Sequence, residues 1–299
     1  MKAKYVNLFT DFGFKKIFGE EASKPMLIDF LASLLPDAHI VQLTFKDKDK
    51  SGKSEEDRKA VYDIYCENDK GEKIIVELQK AKQNYFKDRT IYYSSFPIQE
   101  QAEKGNWNYK LNAVYCIGIL DFTFDDHHPT SSKEVIHTVQ LKDQNNLLFY
   151  DKLKFVYLEM PHFTKEPHQL ETRLDKWLYF IKHLEDFQSI PDILKDAVFI
   201  KAFKKAELAN YTPAERNQYE TSLKIFRDNK AVIDTAFDEG IEQGIEQGIE
   251  KGIEQGIEQE KKKVIVGLYT NGFSIADISK FTGYSTSDIQ KLLKDGVEN

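Results

Sequence analysis

The chain has 299 residues, enough for one large domain with appendages or two modest domains, and its 41% hydrophobic and 13% aromatic residues can fill a core. A net charge of −7 excludes a basic nucleic-acid coat, although it leaves room for a local basic groove. No signal-peptide pattern is present and no apolar run approaches the roughly 18 residues of a membrane span, so a cytoplasmic protein without a membrane partner is expected. Cys66 and Cys116 lie in apolar runs outside any zinc or CxxC pattern and read as buried structural thiols.

In chain order, Thr10 or Asp11 caps a first helix whose apolar residues are Phe14, Ile17 and Phe18. A second helix is predicted over Ser23 to Leu35, with Pro25 in its first turn and Pro36 at its end. Asp11 has two readings, an N-cap or a carboxylate carried toward a site. Ile40 to Phe45 alternates like a strand, and the dense charges of Lys46 to Lys59 read as a solvated loop.

Val61 to Tyr65 and Ile74 to Gln79 then form a predicted hairpin. If Asp69-Lys70-Gly71 is a three-residue loop ending in a left-handed glycine, Asn68 pairs with Glu72 and Asp63 falls opposite Glu77. Alternation sets Val61, Asp63 and Tyr65 on one face of the first strand, and Ile75, Glu77 and Gln79 on one face of the second. Directly opposed side chains have Cβ atoms about 4.5–5.5 Å apart, a separation at which two carboxylates repel unless a cation lies between them. The spacing fits a divalent metal site, and it equally fits a half-buried hairpin whose acids face water.

A helix is predicted from Tyr85 to Lys104, stopped by Gly105, with Pro97 as a kink. Lys80, Lys82, Lys87 and Arg89, with Tyr92 or Tyr93, can line a phosphate path; alternatively Arg89 neutralises an acid and the tyrosines pack. Tyr109 to Leu120 reads as a central strand, with further strands at Val135 to Val139 and Phe155 to Leu158. Asp125-Asp126-His127-His128 reads as an exposed loop without a metal-ligand spacing. His162, His168 and His183 lack an acid or cysteine at a ligand interval and read as structural or surface residues.

Glu171 to Phe237 is helical by pattern, with one stripe of Leu174, Trp177, Leu178 and Ile181 and another of Tyr219, Leu223 and Phe226. A tetrapeptide repeat follows, from Gly240-Ile241-Glu242-Gln243 through Gly256-Ile257-Glu258-Gln259, with Lys251 as its one variant. A step of four residues advances about 400° on a helix, so glycines and isoleucines form slowly winding stripes. Each glycine costs about 1 kcal/mol against alanine, so the segment is either a helix rescued by self-association or a flexible spacer. Lys261 to Thr270, Ile275 to Thr282 and Thr286 to Lys294 are short helices, the last two capped by Ser274 and Ser285 in an arrangement like a helix-turn-helix.

Taken together, Asp11 to Gly19, Tyr62-Asp63-Ile64, Val76-Glu77-Leu78-Gln79, Arg89, Tyr92-Tyr93, Gly105 to Tyr109, the segment around Trp177 and the glycine repeat resemble the PD-(D/E)XK nuclease-family transposases, also called recombination-promoting nucleases. The resemblance implies an α/β, restriction-endonuclease-like αβββαβ core with a helical C-terminal region. It divides the chain into a nuclease-like domain (1–162), a helical region (163–239), the repeat helix (240–260) and a small helical tail (261–299). The implied activity is Mg²⁺- or Mn²⁺-dependent endonucleolytic hydrolysis of DNA in recombination or transposition. Asp63, Glu77 and the Leu78 carbonyl would hold the metal, Gln79 would complete the catalytic set, and Asp11, Lys15, Arg89 and Tyr92 would be accessory. Gln79 replaces the usual superfamily lysine; a neutral amide orients water only by hydrogen bonds. Lys80, on the opposite face by alternation, and Lys82, past the strand end, are not expected to substitute for it. The alternative function is a catalytically weak or inactive DNA-binding protein that assembles into a homo-oligomer through the repeat.

Overall fold

Helix α1 (Asp11–Phe18) starts where Thr10, wholly buried, accepts the Gly13 N–H on its hydroxyl at 3.0 Å and donates to the Asn7 carbonyl at 2.6 Å. A Cβ on Gly13 would stand 2.2 Å from that same carbonyl, so this close approach requires glycine. Phe14, Ile17 and Phe18 turn inward, as the spacing predicts, and meet Leu27, Phe30 and Leu31 of α2 (Lys24–Leu34). The computed structural model describes residues 3–47, 49–50, 60–124 and 133–294. Asp125 to His128 and most of the charged stretch before Val61 therefore lie outside the described residues.

Three strands follow α2 in the main sheet: β1 (Leu43–Phe45), β4 (Ile64–Asn68) and β5 (Lys73–Gln79). Between the first two, β2 (Asp49–Lys50) pairs with β3 (Ala60–Val61), so the solvated-loop expectation is corrected there by a short ladder. At the tip of the hairpin the Asn68 side chain accepts the N–H groups of Lys70 and Glu72, and Gly71 adopts φ +77°, which leaves Ile64 opposite Val76. Extended by one residue, this register sets Asp63 against Glu77, as the turn chemistry predicts.

Helix α3 (Phe86–Gln99) returns the chain so that β6 (Val114–Leu120) lies parallel to β5. Every residue of β6 is buried, as a central strand requires. Next come β7 (Ile136–Lys142) and β8 (Leu148–Glu159), the latter parallel to β6, giving six strands in the order β1-β4-β5-β6-β8-β7. The helix, three strands, helix and strand of the expected core are thus present, flanked by the β8–β7 pair.

Apolar residues cover both faces of the sheet. Ile74, Val76 and Leu78 face the core shared with α1 and α2, whereas Ile75, Cys116 and Tyr157 face α3. Helices α4 (Arg173–His183) and α5 (Ala197–Ala206) close the first side, with Trp177 packed 4.5 Å from Phe199 and its ring N–H donated to Asp29 of α2 at 2.6 Å. Helix α6 (Pro213–Thr270) contributes its first turns to this compact unit, which extends through Lys230.

From Ala231 the chain forms a second unit. It comprises the rest of α6 with α7 (Ile275–Thr282) and α8 (Thr286–Lys294), joined by a small core of Ile265, Ile278 and Ile289. Ser274 and Ser285 cap α7 and α8 through the Asp277 and Asp288 N–H groups, at 3.2 and 3.1 Å. The repeat is helical throughout, and its isoleucines remain exposed, by 46% at Ile241 and 59% at Ile249.

Candidate active site

Alternation through Asp63 is not maintained. The chain leaves β3 at Val61, bends at Tyr62 and Asp63, and re-enters the sheet at Ile64. Tyr62 and Tyr65 therefore pack on the same side, with rings 5.3 Å apart, and Val61 is exposed instead of sharing a face with Asp63 and Tyr65. Freed from the ladder, the Asp63 carboxylate accepts the Leu78 N–H at 2.8 Å through Oδ2, while its own backbone N–H donates to Glu77 Oε1 at 3.3 Å. In a strand, the N–H and C=O of one residue point the same way. The Leu78 carbonyl is accordingly on the Asp63 side of β5, while the Gln79 carbonyl accepts the Asp121 N–H from the β6 side at 2.9 Å.

Burial raises both acids above the ordinary carboxylate range. Glu77 is pushed up to about 8, first by desolvation and then by the charge of Asp63. Asp63 is also raised by burial, against the Leu78 N–H and the Lys15 ammonium, which both favour its ionised form. Lys15 approaches from α1, 3.9 Å from Asp63 Oδ1, and is held 2.8 Å from Asp11. Burial works against its charge, but Asp11 and Asp63 raise its pKa overall.

Four accessory residues were expected, and they occupy different positions. Asp11 and Lys15 form an ion pair on the first turn of α1, beside Asp63. Arg89 bonds to Gln83 and lies over Phe86 and Tyr93, 5.4 and 5.8 Å from the ring centres, where its charge favours ionised Glu77. Tyr92 is exposed and meets Phe96 edge-on at 5.1 Å; its neighbour Tyr93, with Thr90, lines a small void against Glu77.

Lys80 is on the face opposite Gln79, as alternation predicts, and this is also the side from which α1 reaches the acids. Lys80 lines a cleft of ≈ 680 Å³ with Asp11, Lys15, Asn217 and Thr221, and its charge acts on both Asp11 and Asp63. Burial lowers its pKa. The histidine reading changes: His162 Nδ1 is 3.1 Å from Glu159, three residues earlier, and His183 Nδ1 is 3.5 Å from Asp186. The signal available for the first was a Glu-x-x-His spacing at a strand end; His168 is exposed, as expected.

A mixed sheet entered by a helix and a three-strand meander, with two partly buried acids meeting at a break in its second strand and on its third, is a restriction-endonuclease-like α/β fold. The chain belongs to the PD-(D/E)XK nuclease family transposases, whose family model matches residues 8–236. Neither the curated proteins nor the solved structures include a significant match.

Proposed function

We propose that the chain is a metal-dependent DNA endonuclease, with Asp63, Glu77 and Gln79 as its catalytic set. The observation that carries this reading is the meeting of two partly buried carboxylates, with the Asp63 N–H on Glu77 and the Leu78 N–H on Asp63. Two such groups ionise together at neutral pH only beside a cation, and with the Leu78 carbonyl they make an all-oxygen donor set suited to Mg²⁺ or Mn²⁺. PD-(D/E)XK nucleases generally use divalent metals. When bound, such an ion supplies Lewis acidity toward a phosphodiester and its attacking water.

The chain's own residues have the remaining roles. Asp63, Glu77 and the Leu78 carbonyl hold the cation. The Gln79 amide orients water by hydrogen bonds, and Lys15 and Lys80 offset negative charge where the cleft admits a phosphate backbone. Hydrolysis bonds the water oxygen to phosphorus and breaks one P–O ester bond, giving a phosphomonoester and an alcohol whose hydroxyl takes up the proton that balances the one lost by the water. DNA as substrate is in keeping with a cytoplasmic protein acting in recombination or transposition; no helix among the described residues is long and apolar enough to cross a membrane. Supercoiled plasmid incubated with Mg²⁺ should be nicked by the wild type, with the rate reduced about 10²–10³-fold or more by Asp63→Ala. Equal nicking by the two proteins would refute the assignment.

The exposed repeat favours a second reading alongside the first, that the protein assembles with further copies of itself. A Cβ at Gly240, Gly244, Gly248, Gly252 or Gly256 would meet nothing within 4 Å, and the isoleucine ladder is open to a partner helix. Replacing Ile245, Ile249 and Ile253 by lysine in the full chain should reduce its mass in sedimentation equilibrium. A wild type that sediments as a monomer would exclude assembly through the repeat.

A further inference from the structure

A second convergence of ligand-type side chains lies at the far end of β8. Glu159, the last residue of that strand, has a fully buried side chain, and its backbone N–H is fixed to the Val135 carbonyl at 2.8 Å. His137 enters from the neighbouring strand β7 and His162 from the single 3-10 turn Met160–His162 that follows β8. His137 Nε2 is 3.6 Å from Glu159 Oε1 and 3.0 Å from the Glu134 carbonyl oxygen. His162 Nδ1 is 3.1 Å from Glu159 Oε2 and 3.3 Å from the same carbonyl.

We propose that His137, Glu159 and His162, with the Glu134 carbonyl, form a binding site for a zinc-class transition-metal ion, separate from the acid pair on β5. The distances carry the argument. Donors placed about 2.0–2.2 Å from a tetrahedral ion stand about 3.3–3.5 Å from one another. The two ring nitrogens reach the Glu134 carbonyl at 3.0 and 3.3 Å and the two different oxygens of the Glu159 carboxylate at 3.6 and 3.1 Å, and the two ring nitrogens and one carboxylate oxygen lie within 4.8 Å of one another, so a small contraction around an ion brings one donor of each residue to those separations. An N–H on either ring would have to divide itself between a carboxylate and a carbonyl. A ring nitrogen that presents its lone pair instead can share an ion with those same oxygens.

Chemistry selects the ion. Two imidazoles, one carboxylate and one carbonyl make a borderline N₂O₂ set, which favours zinc and its first-row neighbours over Mg²⁺ or Ca²⁺. The acid pair on β5 is all oxygen and favours the opposite class. The histidine side chains are 22% and 20% exposed, which leaves the site accessible from solvent while Glu159 anchors it from within. Its three side chains come from β7, β8 and the following turn, so a bound ion would pin the edge strand to its neighbour and to the start of the helical region.

The site does not depend on the nuclease reading, and the experiment separates them. Full-length protein stripped with chelator and dialysed against ZnCl₂ is analysed for metal by atomic emission, as wild type and in an Asp63→Ala/Glu77→Ala background that disables the acid pair. One zinc per chain is expected in both, with X-ray absorption showing two imidazoles at about 2.0 Å. His137→Gln/His162→Gln in that background should lose the zinc, and with it any zinc-dependent rise in melting temperature. The proposal is overturned if stripped wild type takes up no zinc, if zinc remains in the histidine variant, or if the acid-pair substitutions abolish binding. Should the histidine variant fail to fold, the X-ray absorption of the wild type decides alone: a shell without two imidazoles refutes the site.

Discussion

Glu77, partly buried, and Glu159, fully buried, are carboxylates on the parallel part of one sheet, yet their neighbours give them opposite chemistry. Gln79 pairs with Leu120 and Leu120 with Glu159, so Glu159 stands at the same strand ends as Gln79, about 10 Å away at two strand spacings, with the acid pair further back along the sheet. Glu77 has a second carboxylate against it and is pushed up to about 8. Glu159 instead has two imidazoles and the Phe124 N–H, which donates to Oε1 at 3.2 Å. Burial alone therefore does not define a site; what each acid can hold is decided by whether its companions are oxygen or nitrogen.

The strongest way to break this contrast is to remove one member of each cluster in turn. Asp63→Ala should eliminate Mg²⁺-dependent nicking, a loss of about 10²–10³-fold or more, and leave zinc content unchanged. Conversely, Glu159→Gln should weaken zinc by at least about 10–100-fold, the range seen when even a supporting group is lost, and leave nicking intact. If either substitution moves both readouts equally, the clusters are not separate.

A pH experiment on metal-free protein gives a smaller effect. Because the folded pKa of Glu77 lies above its ordinary value of 4.5, the native state holds the proton more tightly than the unfolded chain. The stability from this group is fully present below about pH 4.5 and is lost as pH rises through about 8. Glu77→Gln should therefore stabilise metal-free protein most at pH 8 and little at pH 4, read as a melting shift of about 2–4 °C per kcal/mol. Mg²⁺ should shrink the difference by stabilising the wild type alone. A shift that is the same at both pH values would mean the acid is not held protonated by its surroundings.

Much of the first cluster was legible because its causes are local. A loop with Asn68 before it and Gly71 at its end fixes a register, and a capped helix with apolar residues at 14, 17 and 18 announces its inward face. The bend at Asp63 was not legible, since alternation presumes an unbroken strand and the partner of β3 lies in a charged stretch that reads as loop. The same bend brings Asp63 to the Leu78 N–H. The face of Lys80 follows from alternation, but the approach of α1 to that face does not. The second cluster is assembled by pairing between β7 and β8, whose register shifts near Leu141, and β8 begins seven residues before its apolar stretch at Phe155. Only its Glu159-x-x-His162 half could have been read from spacing.

The smallest predicted effect tests whether α1 serves one cluster alone. The Thr10 hydroxyl accepts the Gly13 N–H and donates to Asn7, fixing the turn that carries Asp11 and Lys15 to Asp63. Thr10→Ala removes the cap and should cost about 1 kcal/mol of stability, with up to about 2 for a buried cap. Lys15, 3.9 Å from Asp63, would then be less firmly placed, so nicking should fall several-fold by an estimate of the same order of energy, about 1 kcal/mol. Thr10→Ser keeps the hydroxyl and should restore both stability and rate, which a purely steric role for the residue would not do. The Thr10 hydroxyl bonds to Asn7 and Gly13, so zinc affinity at the His137, Glu159 and His162 cluster should not change. A parallel fall in zinc binding would show that loosening α1 disturbs the whole sheet and that the two clusters are not independent.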